Sequence, residues 1–156
     1  MDYATSDLIL AIAHHLLVFT LAGILAFEIG TIGFTMKRDD ILRVGGVDIW
    51  YGILAGAIIV VGFIRADVAA KGWAYYSVNA FFWAKIATFL LLGLLSIVPT
   101  VAIIRWRSAL KRDGAFVPPT DAIRRVRHFL WAEAVLFLLL PVFAAAMARG
   151  YGEMTP

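Results

Sequence analysis

A chain of 156 residues with 62% hydrophobic side chains and a mean hydropathy of +0.87 is too apolar for a soluble domain. Its formal charge of +3 lies in short basic segments between apolar tracts, which argues for loops at a membrane face and against a nucleic-acid surface. With no cysteine, disulfides, thiolate-held zinc or iron–sulfur centres and covalently attached c-type heme are excluded.

The chain begins with a short polar lead, Met1 to Asp7, in which Ser6 or Asp7 is placed to cap a helix. Asp2 and Asp7 stand where a cleavable signal would carry basic residues, and the apolar run that follows is too long for one. That run, Leu8 to Met36, predicts the first membrane span and stops at Lys37-Arg38-Asp39-Asp40. Ile41 to Val47, with the helix-weakening pair Gly45-Gly46, reads as a linker. The second span covers about residues 48–64. Gly52 and Gly56 give it a small-xxx-small face that suits close helix packing, including packing against a second copy, more than a substrate groove.

Trp73, Tyr75 and Tyr76 mark the connection from Val68 to Asn79 as an interfacial belt. The third span covers about 80–104. A basic connection broken by Pro118-Pro119 leads to Asp121, a candidate cap for the fourth span at about 128–147. The expected architecture is therefore all-α, an integral membrane antiparallel four-helix bundle forming one domain over residues 1–156.

Ten of the fourteen Lys and Arg residues fall in the first and third connections, whereas Arg65, Lys71 and Arg149 lie on the other side. The positive-inside rule then predicts a multi-pass protein of the bacterial inner membrane with both termini outside the cytoplasm.

Depth sorts the polar residues into two layers. His14, His15, Lys85, Arg65, Arg149 and Met147 share the outer half, with the histidines roughly 10 Å below the surface. Glu28, Asp48, Glu133 and His128 gather toward the cytoplasmic ends, where the acids are expected to partner arginines. The two histidines diverge by about 100° around the helix. His15 shares a face with the small residues Ala11, Ala22, Ala26 and Gly33, which leaves room for a neighbouring helix or a flat porphyrin. His14 shares its face with Leu21, Leu25 and Glu28. In the third span Lys85, Thr88, Ser96 and Pro99 lie on one side, expected to face the bundle interior.

Imidazoles at such depth are costly, which makes His14 and His15 candidate axial ligands to heme iron or proton acceptors. A hydrogen-bonded helix contact is the plainer alternative. Zinc is disfavoured because adjacent histidines diverge and no third ligand lies nearby. Lys85 is the candidate catalytic residue, a cation able to pair with substrate or propionate or to titrate, though a lysine here also reaches the surface by snorkelling. Arg65 and Arg149 are candidate cofactor-binding cations.

Several motifs along the chain resemble those of one uncharacterised bacterial family of four-span membrane proteins. They are His14-His15, Tyr51-Gly52, Gly62-Phe-Ile-Arg65, Lys71-Gly72, Tyr76-Ser-Val-Asn79, Phe82-Trp-Ala-Lys85, Leu94-Leu-Ser96-Ile-Val-Pro99-Thr100 and Met147-Ala-Arg149-Gly150. The resemblance spans nearly the whole chain and implies four helices without supplying an activity. A fainter similarity, to the heme-containing four-helix protoporphyrinogen IX oxidase of bacteria, rests on a histidine in the first span followed by Ala22-Gly23 and on Lys85 after an aromatic helix start. This chain differs in its doubled histidine, in lacking that family's basic-aromatic segment after the first span, and in its third- and fourth-span motifs. That similarity implies heme binding more than it implies the same reaction.

The leading expectation is a membrane-embedded protein holding heme b through His14 or His15. It would pass electrons or oxidise a tetrapyrrole-like or quinol substrate near the outer leaflet of the lipid bilayer. A cofactor-free structural or assembly protein and a small-solute or proton carrier are the alternatives, and a homo-oligomer through the Gly52/Gly56 face is expected.

Overall fold

The computed structural model describes residues 3–68 and 72–154. Asp2, Lys71 and Pro156, counted above in the polar lead, the middle connection and the C-terminus, lie outside the described residues. The chain forms α1 (Tyr3–Thr31), α2 (Arg38–Val68), a single-turn α3 (Gly72–Ser77), α4 (Ala80–Arg112) and α5 (Thr120–Ala148). Helices α1, α2, α4 and α5 are each long and apolar enough to cross a bilayer, so the expected all-α membrane bundle holds.

Around the bundle α1 packs on α2 and α5, and α4 packs on the same two. That leaves α1 and α4 on one diagonal and α2 and α5 on the other. The start of α1 and the end of α5, with α3, lie at one end of the bundle (the terminal end). The 32–37 and 113–119 connections and most of the arginines lie at the other.

Helix ends depart from the hydropathy boundaries for local reasons. Asp40 accepts from the Lys37 backbone N–H at 2.8 Å, and Asp39 joins it in the first turn of α2, where carboxylates favour the helix dipole. The helix therefore starts at Arg38 and runs straight through the expected linker. Gly45 has a packing reason instead. The Arg107 side chain of α4 fills the space a β-carbon would need there, and its guanidinium donates to the Gly45 carbonyl at 2.6 Å.

Helix α1 begins at Tyr3, so Ser6 and Asp7 sit inside it rather than capping it. It stops at Thr31, and Ile32 and Met36 turn back into the core. Asp121 does not cap α5. Extended Pro119 occupies that position, and Asp121 lies in the first turn, 3.8 Å from Arg124. The start of α4 is fastened most firmly. Asn79, wholly buried, accepts from the Phe81 and Phe82 N–H groups at 3.0 and 3.2 Å and donates to the Tyr151 carbonyl at 3.0 Å.

The inward faces repeat every seven residues, the period that keeps one stripe against neighbouring helices. His14, Leu21 and Glu28 follow one another on α1, Tyr51, Ile58 and Arg65 on α2, Lys85, Leu92 and Pro99 on α4, and Glu133, Leu140 and Met147 on α5. Stacked, these make a polar layer near the terminal end, a buried layer of Leu21, Ile58, Leu92 and Leu140, and a second polar layer beyond it.

Candidate functional site

The terminal-end layer is built around His14. Its ring lies against Gly62 of α2, where a β-carbon would stand 3.3 Å from the imidazole Cε1. A glycine at that point is what lets the ring in. Nδ1 of His14 is buried without a hydrogen-bond partner. Arg65, one turn along α2 from Gly62, and Lys85, from α4 across the diagonal, both lie within electrostatic range of the imidazole. Nζ of Lys85 also stands 5.7 Å over the Phe82 ring, in an aromatic cluster with Phe63, Trp73, Tyr76 and Trp83. Nε of Arg65 is 3.9 Å from Asp7 Oδ1, a long ion pair that leaves both atoms without a hydrogen bond. The sequence marks Asp7 as a helix cap and not as a partner for Arg65, although it precedes His14 by seven residues on the same stripe.

The two histidines separate as their phase predicts, and the structure decides which one turns inward. His15 is exposed, and its Nδ1 donates to the Ala11 carbonyl at 2.6 Å. The ring sits in a shallow hollow of about 420 Å³ lined by Leu8, Ala11, Ile12, Leu16 and Phe19, side chains that suit lipid. The small-residue stripe that favoured His15 runs along the flank of α1, with Ala26 exposed, whereas Leu21, Leu25 and Glu28 on the His14 face are buried. Of the two imidazoles, His14 is therefore the one that could hold a cofactor inside the bundle. Arg149 is exposed, and its backbone N–H closes the last turn of α5. Met147 offers its carbonyl to the Tyr75 hydroxyl at 3.2 Å. Gly52 and Gly56 are exposed, and a β-carbon at either would meet no other side chain or helix within 4 Å among the described residues, in contrast to Gly62.

The second polar layer is carboxylic. Glu28, Asp48 and Glu133 are 2%, 7% and 1% exposed, from three different helices. Tyr51 reaches across the diagonal from α2 and donates to Glu133 Oε2 at 2.8 Å, and Thr100 donates to Asp48 Oδ1 at 2.8 Å. Neither Tyr51 nor Thr100 was singled out in the sequence as an acid partner. Tyr51 lies one turn from Asp48, which places it on the same face.

The expected pairing of these acids with arginines is not what forms. Arg107 donates to the Gly45 carbonyl, and Arg127 donates to the carbonyls of Ile29, at 3.3 Å, and Ile32. Backbone carbonyls left open by the end of α1 and by the Gly45 notch accept the guanidiniums first. Ion pairs among the described residues are confined to Arg65–Asp7 and Arg124–Asp121. His128 is exposed and bonds the Arg124 carbonyl at 2.8 Å, away from the acids.

Residues 6–152, nearly the whole chain, match the family described as Predicted membrane protein (DUF2214). The chain belongs to this family. DUF2214 membership agrees with the four long apolar helices and carries no assigned activity. No curated protein and no solved structure matches the chain, so the residues above are the basis for any reading of what this DUF2214 protein does.

Proposed function

We propose that the protein is a membrane-embedded b-type heme protein whose cofactor is held at the terminal-end layer by His14. Its work would be electron transfer or oxidation of a tetrapyrrole-like or quinol substrate. The observation that carries this reading is the buried His14 Nδ1 with no protein partner, facing the bundle beside two cations. An imidazole nitrogen is a costly group to leave unbonded in a membrane interior, and a metal centre is a partner that would satisfy it. Gly62 supports the inward position of the ring, since the absent side chain lets the imidazole lie against α2. A b-type heme, when bound, supplies one-electron redox chemistry and carries two propionates.

Lys85 and Arg65 are the residues that would meet those propionates, or an anionic substrate, as charge partners rather than as iron ligands. Asp7 holds Arg65 from the outer side, so that cation is positioned by the chain itself. The aromatic cluster around Phe82 would shield Lys85 from water and strengthen its pull on an anion. In the orientation that the arginine distribution favours, this chemistry lies toward the outer leaflet.

The test is the absorption spectrum of protein purified after expression with ample heme supply. A Soret band with reducible α and β bands is expected. His14→Ala should abolish it. His15→Ala, altering a ring that faces lipid, should leave it in place. Lys85→Ala should keep most of the heme and lose turnover. A colourless preparation that takes up no added hemin would leave the cofactor-free bundle as the better account.

A further inference from the structure

The second polar layer presents a separate problem of charge. Three carboxyls meet inside a membrane bundle, and they lie near enough to repel one another when ionised. Polar groups from all four long helices surround them among the described residues. From α1 there is Glu28, from α2 Asp48 and Tyr51, from α4 Thr100 and Arg107, and from α5 Glu133 and Arg127. Tyr51 and Thr100 satisfy one oxygen each of Glu133 and Asp48. The two arginines at the border spend their donors on the carbonyls of Gly45, Ile29 and Ile32. Oε1 of Glu28 and Oε1 of Glu133 have no partner at all, although both side chains are almost completely buried.

Arg107 lies within electrostatic range of Asp48, but its donor is spent on the Gly45 carbonyl, and Glu28 and Glu133, if ionised, would still need a cation. Among the described residues the acids do not converge as a cage for a metal ion. The smallest cation needs no cage. A proton on a carboxyl oxygen removes the charge, turns an acceptor into a donor, and lets neighbouring acids bond one another.

We infer that Glu28 and Glu133, with Asp48 and Tyr51 completing the cluster, form a proton-binding site that loads and unloads from the arginine-rich end. Access from the terminal end is blocked by Leu21, Ile58, Leu92 and Leu140, so exchange runs past Arg107 and Arg127. This site is independent of any cofactor at His14.

Infrared difference spectroscopy on the full chain in lipid nanodiscs tests the assignment. Between acidic and alkaline buffer, a protonated-carboxyl C=O band is expected to lose intensity and to shift in D2O. Glu28→Gln and Glu133→Gln should each remove part of it. If either variant fails to fold, the wild-type protein is read instead with dicyclohexylcarbodiimide, which reacts with protonated carboxyls in apolar surroundings. Peptide mass spectrometry should find the adduct on Glu28 or Glu133, with the labelling rate falling about tenfold per pH unit above the midpoint, as for a single titrating acid. A carboxyl signal that ignores bulk pH, or labelling suppressed by sodium at constant pH, would overturn the proton site.

Discussion

The two polar layers of the bundle carry opposite charge, and the protein keeps them apart. Near the terminal end, His14, Lys85 and Arg65 face a single carboxylate, Asp7. Beyond the leucine layer, Glu28, Asp48 and Glu133 face no guanidinium that bonds them. The fourteen residues from His14 to Glu28 set the layers about 21 Å apart along α1. A bundle that needed its charges only for stability would bring them together, since opposite charges in hydrocarbon neutralise each other. On the readings proposed above, an anion would complete the neutralisation of the first layer and protons that of the second. The difference between the layers fits the two separate roles proposed for them.

That contrast depends first on the apolar partition. Leu92→Ala removes a fully buried side chain between the layers and should cost about 2 kcal/mol or more in unfolding measurements in detergent. A negligible cost would mean the partition is loosely packed and the two layers are not isolated. Tyr51→Phe tests the carboxylic layer alone. It deletes the hydroxyl bonded to Glu133 and leaves a buried oxygen bare, a loss of about 1–3 kcal/mol in the same assay, with any heme spectrum unchanged. A changed spectrum would join the layers that the leucines separate. Asp7→Asn should have the smallest effect. Its ion pair with Arg65 is long and about one-third exposed, so stability should fall by no more than ~1 kcal/mol, read as a small drop in melting temperature.

The span count was legible because long apolar tracts broken by charge have few other solutions in water or lipid. The helix ends were not, because α2 and α4 run well past the apolar stretch at the arginine-rich end, where capping rather than hydropathy sets the boundary. In the site, both histidines could be picked out by cost, but one-residue phase alone left open which faced inward. The seven-residue step from His14 through Leu21 to Glu28, repeated on the other helices, carries that answer. The arginines misled for a different reason: their acceptors are backbone carbonyls, which every residue has and which leave no mark in a sequence.

The clasp at Asn79 has a consequence for how the protein is made. The side-chain bond from Asn79 to Tyr151 joins positions 72 residues apart, and the Gly152 carbonyl and Met154 N–H add backbone bonds to Ala80 and Val78 at 2.7 and 2.8 Å. When α4 enters the bilayer during synthesis, this part of its capping is still unmade. The donors and acceptors around Asn79 must rest on water or lipid headgroups until α5 has crossed and residues 151–154 have followed it. Closing the clasp is thus a late event of biogenesis, tying the completed fourth span to the root of the third.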